Sequence, residues 1–346
     1  MIWKQPHHKP FYNANEIKEK YSVIISIGAR GKGKTLAWKL APIYDTLNYG
    51  YETIYLRRFK NELKKAKRHY LSDIYVGDPR LQNVKLEIKG NTLYVNDKPC
   101  THFVSLSTSL NDKSVSYHNV RRVIFDEFLT LGYTIRGVDE ITLFSEFLET
   151  VFRLRDNVQI VLLSNAISTT SEYFKLFGFD NVDPKRQFQH PRHSKDIVLE
   201  IIMTDEDFKE MKSQSKLYSL LAPSKYKKYA IENEFIFEDD TNILKRKEIK
   251  GHIHYIYSVA TEQGILDFYN FNKGMIYVRL DKEKNRDIIF TFDKDLVMRG
   301  YIYVNSSHDI ARRLSSALSL KWVFYEDMQT KKLLLMNLKK IITTYF

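Results

Sequence analysis

The sequence predicts an α/β protein whose N-terminal part is a mostly parallel sheet covered by helices, and three observations predict it. Strand-like and helix-like stretches alternate from residue 21 to about 200, the order that a parallel sheet with crossover helices requires. The run Tyr21–Ile27 is short, apolar and β-branched, and the helix-forming stretch Leu36–Leu40 follows closely,. Between them stands Gly28-Ala29-Arg30-Gly31-Lys32-Gly33-Lys34-Thr35, the G-x-x-x-x-G-K-[ST] pattern of a phosphate-binding loop in the strand-loop-helix setting it needs.

Chemistry accounts for that spacing. Gly28, Gly31 and Gly33 are expected to take positive φ and let the backbone approach phosphates, so that successive N–H groups form an anion nest. The following helix adds the positive end of its dipole. Lys34 reaches the β- and γ-phosphates of ATP as a point charge, and the Thr35 hydroxyl is placed to ligate Mg²⁺. The whole stretch from Gly28 to Thr35 is therefore the expected nucleotide cradle.

The next elements follow in order. Ile54–Arg58 reads as a second strand with a basic tip. Lys60, Lys64, Lys65, Lys67 and Arg68 sit at spacings that mix both sides of a helix; they could track phosphates, although charge runs usually just face water. Asn83–Val95 reads as a β-hairpin around Lys89-Gly90-Asn91,. Val120–Phe125 is an apolar strand ending in Asp126 and Glu127, the form of a Walker B element in which the first acid holds Mg²⁺. The second, Glu127, is placed to orient and deprotonate an attacking water. An amphipathic stretch from Glu140 to Val151 leads into Phe152-Arg153-Leu154-Arg155. Arg153, with Arg155 as the alternative, is the candidate for neutralising charge on the transferred phosphoryl group of a neighbouring subunit; an arginine ending a helix more often favours its dipole or caps its carbonyls. Gln159–Asn165 is a further apolar strand, expected beside the Walker A strand, and Asn165 at its tip, or Ser164, would sense the γ-phosphate.

The segments "IGARGKGKT", "YLRRFKNEL", "VIFDEF", "ETVFRLRDNV" and "LSNA", in that order and at these intervals, resemble the DNA-packaging ATPase of phi29-like tailed bacteriophages, in the additional-strand, catalytic-glutamate P-loop (ASCE) class. "GILDFYNFNKGMIYV" and "ARRLSSALSL" are also similar, so the likeness is dense in the first 170 residues and sparse afterwards. The resemblance implies a homo-pentameric ring at the portal vertex of an empty prohead in the host cytoplasm. It also implies docking on a structural packaging RNA and ATP-driven movement of double-stranded DNA into the capsid. It places Lys34 and Thr35 in Walker A, Asp126 and Glu127 in Walker B, and Arg153 as the trans-acting finger. Lys113, ahead of the Walker B strand, matches a family lysine near the nucleotide or subunit interface.

Three parts are expected: an ATPase domain over 1–200, a small linker domain over 201–237 and a C-terminal domain over 238–346. The linker opens on Asp205-Glu206-Asp207, carries the basic Lys225-Tyr226-Lys227-Lys228 and closes on Glu238-Asp239-Asp240; a hinge there would move one lobe relative to the other. In the last third Ile253–Val259, Gly264–Phe271 and Met275–Leu280 alternate at period two before a helix-like Ile310–Trp322,. That order fits an RNase-H-like α/β lobe, the nuclease fold of related packaging motors. A two-metal nuclease needs converging acids, one normally on the first strand. Ile253–Val259 has none, and Asp267, Asp281 and Asp309 do not restore the pattern. The lobe reads as nuclease-derived but inert, with Lys245, Arg246, Lys247, Lys250, Arg312 and Arg313 as a basic surface.

Composition bounds the rest. At 346 residues the chain suits two domains and a connector,. A formal net charge of +12 favours a polyanionic partner through counterion release. The single cysteine, Cys100, excludes an intramolecular disulfide and a thiolate zinc site,. The pairs His7/His8, His190/His193 and His252/His254 lack a completing ligand pattern,. No apolar run approaches the roughly 20 residues that cross a bilayer, so no membrane role is expected, and the first ten residues have no apolar signal-like core,. Three functions fit: a ring translocase for double-stranded DNA, another nucleic-acid ATPase such as a helicase, and a small-molecule phosphotransferase, against which Glu127 argues.

Overall fold

The computed structural model describes residues 11–112, 117–129, 135, 139–166, 168–169, 171–180, 182–220, 242–249, 251–271, 274–286, 288–338 and 341. Lys113, the basic run at 225–228, the acidic run at 238–240, Lys250 and the first ten residues lie outside them. The chain packs as two compact units, Met1–Phe237 and Glu238–Phe346.

The first unit is a nine-stranded sheet. Its strands are β1 (Val23–Gly28), β2 (Glu52–Arg57), β3 (Leu86–Lys89), β4 (Thr92–Val95), β5 (Lys98–Ser105), β6 (Val120–Asp126), β7 (Gln159–Asn165), β8 (Phe188–Gln189) and β9 (Ile197–Ile202), in the spatial order β3-β4-β5-β2-β6-β7-β1-β9-β8. The central six, from β5 to β9, are mutually parallel, and β3, β4 and β8 add antiparallel edges. β7 pairs with both β6 and β1, so it is the strand inserted between the Walker B and Walker A strands.

Alternation along each buried strand sends neighbouring side chains to opposite faces. Ile24, Ile124, Val161 and Val198 join one core with Trp38, Leu40 and Tyr44 of α1 (Lys34–Tyr49) and Leu63 and Ile74 of α2 (Lys60–Arg68) and α3 (Tyr70–Gly77). Ile25, Phe125, Leu162 and Ile201 join the other, with Phe144 and Phe147 of α4 (Glu140–Phe152) and Phe174 of α5 (Glu172–Leu176). The phosphate loop therefore opens on the α1 face.

Two sequence readings need amendment. The expected hairpin continues into a third strand, β5, through Asn96-Asp97, both at positive φ (48° and 63°), a turn that these two residue types tolerate. The boundary expected at residue 200 cuts through β9, whose Ile201 and Ile202 are buried. The helices that follow, α6 (Glu206–Ser213) and α7 (Lys216–Leu220), bury Phe208 and Tyr218, and Tyr218 joins the core of the first unit.

The second unit carries a six-stranded sheet of β10 (His254–Thr261), β11 (Gly264–Phe271), β12 (Met275–Leu280), β13 (Ile289–Thr291), β14 (Ile302–Tyr303) and β15 (Val323–Tyr325), ordered β14-β13-β10-β11-β12-β15. β10 to β12 form the expected antiparallel meander, and β13, β14 and β15 attach in parallel. α8 (Asp309–Ser319) and α9 (Met328–Leu338) give Leu314 and Leu334 to its core. α8 stops before the expected Trp322, because Lys321 takes a left-handed φ of 58°.

Candidate active site

β1 ends at Gly28 and α1 starts at Lys34, so the intervening loop lies at the carboxyl edge of the parallel strands, where open α/β sheets bind ligands,. Gly31 and Gly33 take φ of 86° and 89°, as their role in a nest requires. Gly28 does not take positive φ; a Cβ there would stand 2.7 Å from the Ile202 Cβ and 3.1 Å from its carbonyl oxygen. Glycine at position 28 thus allows close packing against β9, which corrects the expectation from sequence.

Strand alternation collects the chemistry on one face. Ser26 and Gly28 follow Ile24, Asp126 follows Ile124, Asn165 follows Val161 and Leu163, and Glu200 follows Val198, so all lie on the α1 side,. Ser164 points to the opposite face, and its buried hydroxyl has no hydrogen-bond partner among the described residues. Geometry therefore favours Asn165 over Ser164 at the nucleotide side.

Thr35 Oγ1 donates to Asp126 Oδ1 at 3.1 Å, joining the two motifs across 91 residues. Asp126 Oδ2 accepts from Tyr55 Oη at 2.5 Å and from Arg57 Nη1 at 2.9 Å. The second guanidinium nitrogen, Nη2, reaches Glu127 Oε2 at 2.6 Å. One arginine thus bridges both acids. Burial alone would lower the pKa of Arg57, but Asp126, with smaller contributions from Tyr55 and Glu127, outweighs it and holds the group charged. Burial, then Asp126, raises the Tyr55 phenol well above its ordinary value, so it remains a donor. Glu127 sits at a φ of 59° with its side chain more than half exposed, open to a water.

Lys34 is buried and donates to the carbonyls of Gly28 and Ala29, both at 2.9 Å. Burial lowers its pKa to about 7 although Asp126 opposes this. Arg30 is exposed, whereas the Lys32 side chain is buried and pairs with Asp205 at 2.7 Å. Only the backbone of Lys32 is thereby left to the phosphate nest.

Arg153 ends α4 with φ 50° and ψ −125°, and it is exposed. Arg155 is occupied: Nε, Nη1 and Nη2 donate to the carbonyls of Phe152, His118 and Val151. That is the helix-capping role, and of the two candidates Arg153 is the exposed one, with no cap of this kind among the described residues.

Sequence reasoning missed Tyr55, Arg57, Tyr12 and Glu200. The basic strand tip was the available signal for Arg57; nothing local marked the others. Glu200 is buried on β9 and accepts from Ser26 Oγ at 3.0 Å and Tyr12 Oη at 2.9 Å, while the Tyr12 N–H donates to the Lys32 carbonyl. Burial pushes the Glu200 carboxyl up to about 7, although Tyr12 and Ser26 favour its charged form. The folded chain therefore binds the extra proton between about pH 4.5 and 7, so this group makes stability fall as pH rises through that window and leaves it flat above,. Glu200→Gln is expected to raise stability at pH 8 by about 2 kcal/mol and to flatten the profile between about pH 5 and 7. Urea midpoints across that range check it, and a lower midpoint at pH 8 would show the ionised carboxylate to be stabilising.

These features match known proteins. The sequence pattern of the Podovirus DNA encapsidation protein (Gp16) family matches residues 7–341. The DNA packaging protein of Bacillus phage B103 is 30% identical over 284 residues, covering 81% of this chain and 84% of its own length. That of Bacillus phage phi29 is 28% identical over 324 residues, covering 92% and 93%. Among solved structures, a chain of the bacteriophage phi29 viral genome packaging motor assembly aligns with a TM-score of 0.67 at 23% identity, over 95% of this chain and 99% of that one. A chain of the Phi-28 gp11 DNA packaging motor gives 0.61 at 17% identity, over 96% and 97%; at these identities the structural likeness bears on fold alone. A match spanning nearly the whole sequence, on a chain whose phosphate loop and paired acids meet at one sheet edge, makes this chain a member of the podovirus DNA encapsidation protein (Gp16) family.

Proposed function

We propose that this chain hydrolyses ATP to drive double-stranded DNA into a preformed viral capsid, as one subunit of a homomeric ring. The observation that carries the reading is the Thr35–Asp126 hydrogen bond beside the phosphate loop, with Glu127 next in sequence. Walker A and Walker B residues that meet in this way suit a nucleoside triphosphate with its Mg²⁺, and membership of an encapsidation family supplies the cargo. The glutamate next to Asp126 favours water, rather than a metabolite hydroxyl, as the acceptor.

Lys34 and the loop amides hold the triphosphate. Thr35 and Asp126 offer two hard oxygen donors 3.1 Å apart, which suit Mg²⁺,; bound there, the ion would neutralise charge on the phosphate oxygens. Glu127 orients and deprotonates the water, Asn165 reads the terminal phosphate from β7, and Arg153 serves the site of the adjacent subunit. Arg57 takes one oxygen of each acid, Asp126 Oδ2 and Glu127 Oε2, which leaves Asp126 Oδ1 beside Thr35 and Glu127 Oε1 for the water. By family resemblance Lys113 works near the nucleotide or the subunit interface, the ring is a pentamer, and its partners are the portal and a structural packaging RNA at the prohead in the host cytoplasm.

The C-terminal unit supports an RNase-H-like reading through its meander flanked by parallel strands. Asp267, one of its two buried acids among the described residues, is fully engaged: it accepts from Ser258, from the Lys282 and Glu283 amides, and from Arg286 Nε and Nη2, all between 2.6 and 2.8 Å. A carboxylate with so many donors has little left for a metal, which favours a lobe without nuclease chemistry. The linker expected over 201–237 is narrowed to the stretch that follows β9, since Ile201 and Ile202 belong to the sheet.

Phosphate release measured with and without double-stranded DNA tests the proposal. A several-fold stimulation is expected, with DNA affinity falling steeply as salt rises, as phosphate contacts require. Absence of stimulation would remove the translocase reading; strand separation in the same assay would replace it with a helicase.

A further inference from the structure

The phosphate loop, with Lys32 and Lys34 of its own, receives a third lysine from a distant part of the chain. Lys212, in the last turn of α6, donates its ammonium to the Arg30 carbonyl and lies 3.8 Å from where a Cβ on Gly31 would stand. It packs against the rings of Phe208 and Tyr218, 5.1 and 5.4 Å from their centroids. At the other end of α6, Asp205 caps the helix by accepting from the Phe208 N–H at 2.8 Å and pairs with Lys32. The Lys32 ammonium also stands 4.6 Å from the Phe208 ring. The helix is thus fastened at both ends to loop residues 30–32, over about 10 Å.

The electrostatics around Lys212 are those of an anion site. Burial, then the neighbouring Arg30, pushes its pKa down to about 8, and Lys212 is itself one of the charges that lower Lys34. Lys34, Lys212 and Arg30 therefore crowd one loop and repel one another, and a polyanion relieves all three at once.

We propose that Lys212 is a nucleotide ligand, its ammonium exchanging the Arg30 carbonyl for a phosphate oxygen when a nucleoside triphosphate occupies the loop. The nucleotide then fastens α6 to the loop in addition to the Lys32–Asp205 pair. Occupancy of the site is in this way transmitted to the start of the 201–237 segment. This rests on the ATPase reading above.

The test uses the full chain, with ATPγS as probe. Lys212→Gln is expected to weaken ATPγS affinity by about tenfold to a hundredfold, the effect of losing a charge-assisted hydrogen bond. Lys212→Arg should stay within a few-fold of the parent. Lys209→Gln, on the same helix but paired with Glu206 at 2.7 Å, should leave affinity unchanged. In the parent chain, hydrogen exchange over residues 206–213 should slow on adding ATPγS. Equal affinity in the parent and Lys212→Gln, or exchange indifferent to the nucleotide, would overturn the assignment even if the glutamine variant folded poorly. A parent chain that bound no ATPγS would instead remove the ATPase reading itself, so the two failures are distinguishable.

Discussion

Glu127→Gln is expected to leave ATP binding within about threefold of the parent and to lower turnover by about 10²–10⁴, the usual contribution of a positioned general base. The substitution preserves size and removes only the capacity to take a proton. Binding should survive because Glu127 is not part of the phosphate loop and because Thr35, Asp126 and Lys34 are untouched. The backbone at 127 already holds a left-handed φ of 59°, which a glutamine occupies no worse than a glutamate. Loss of the carboxylate charge leaves Arg57 its ion pair with Asp126 at 2.9 Å. Fluorescent nucleotide titration together with single-turnover phosphate release checks both halves, and unchanged turnover would remove Glu127 as the base.

Arg153→Ala should cost about 10³–10⁵ in turnover, the range for an arginine that neutralises a transferring phosphoryl group, while nucleotide binding to the same subunit persists. The assignment rests on contrast with its neighbour. Arg155 spends its guanidinium on three backbone carbonyls of its own chain, so Arg155→Ala should lower stability more than catalysis. Arg153 stands exposed at a sparsely populated backbone conformation, with Leu154 wholly exposed beside it. Strain of that kind costs about 1–3 kcal/mol and is typically retained where function requires it. If the arginine acts across the subunit boundary, rings mixing Arg153→Ala with Lys34→Ala chains should recover turnover that neither variant has alone. Mixed rings as inactive as the pure ones would reject the trans role.

How much of this was legible in the sequence follows from the range of each interaction. The phosphate loop, the strand ending in Asp126 and Glu127, and the C-terminal meander are written in contiguous residues whose periodicity and turn chemistry act locally. The place of β7 beside β1 was expected from the ATPase class, and its pairing with β6 on the other side came from the structure. Tyr12 and Glu200 could not be read in this way, because they meet across 188 residues, and each alone looks like an ordinary strand or loop residue. The Gly28 error has the same origin: the residue that excludes a side chain there, Ile202, is remote in sequence. The boundary at 200 failed because composition changes one strand-end before packing does; Ile201 and Ile202 still belong to the sheet.

The tie between Arg58 and Glu140 has a mechanical consequence. Arg58 Nε donates to both carboxylate oxygens of Glu140 at 2.9 and 3.0 Å, its terminal nitrogens hold the carbonyls of Glu127 and Phe128, and Tyr173 Oη secures Glu140 at 2.7 Å. The first residue of α4 is therefore riveted, inside the core, to the backbone that carries the base. From there the helix runs thirteen residues, a stiff rod of about 20 Å, to Arg153. A tilt of about 5° at the riveted end swings the far tip by about 2 Å, enough to decide whether a guanidinium meets a phosphoryl oxygen or falls short of it. If Arg153 serves a neighbouring subunit, as proposed, a small displacement beside Glu127 would in this way be enlarged at the opposite end of α4.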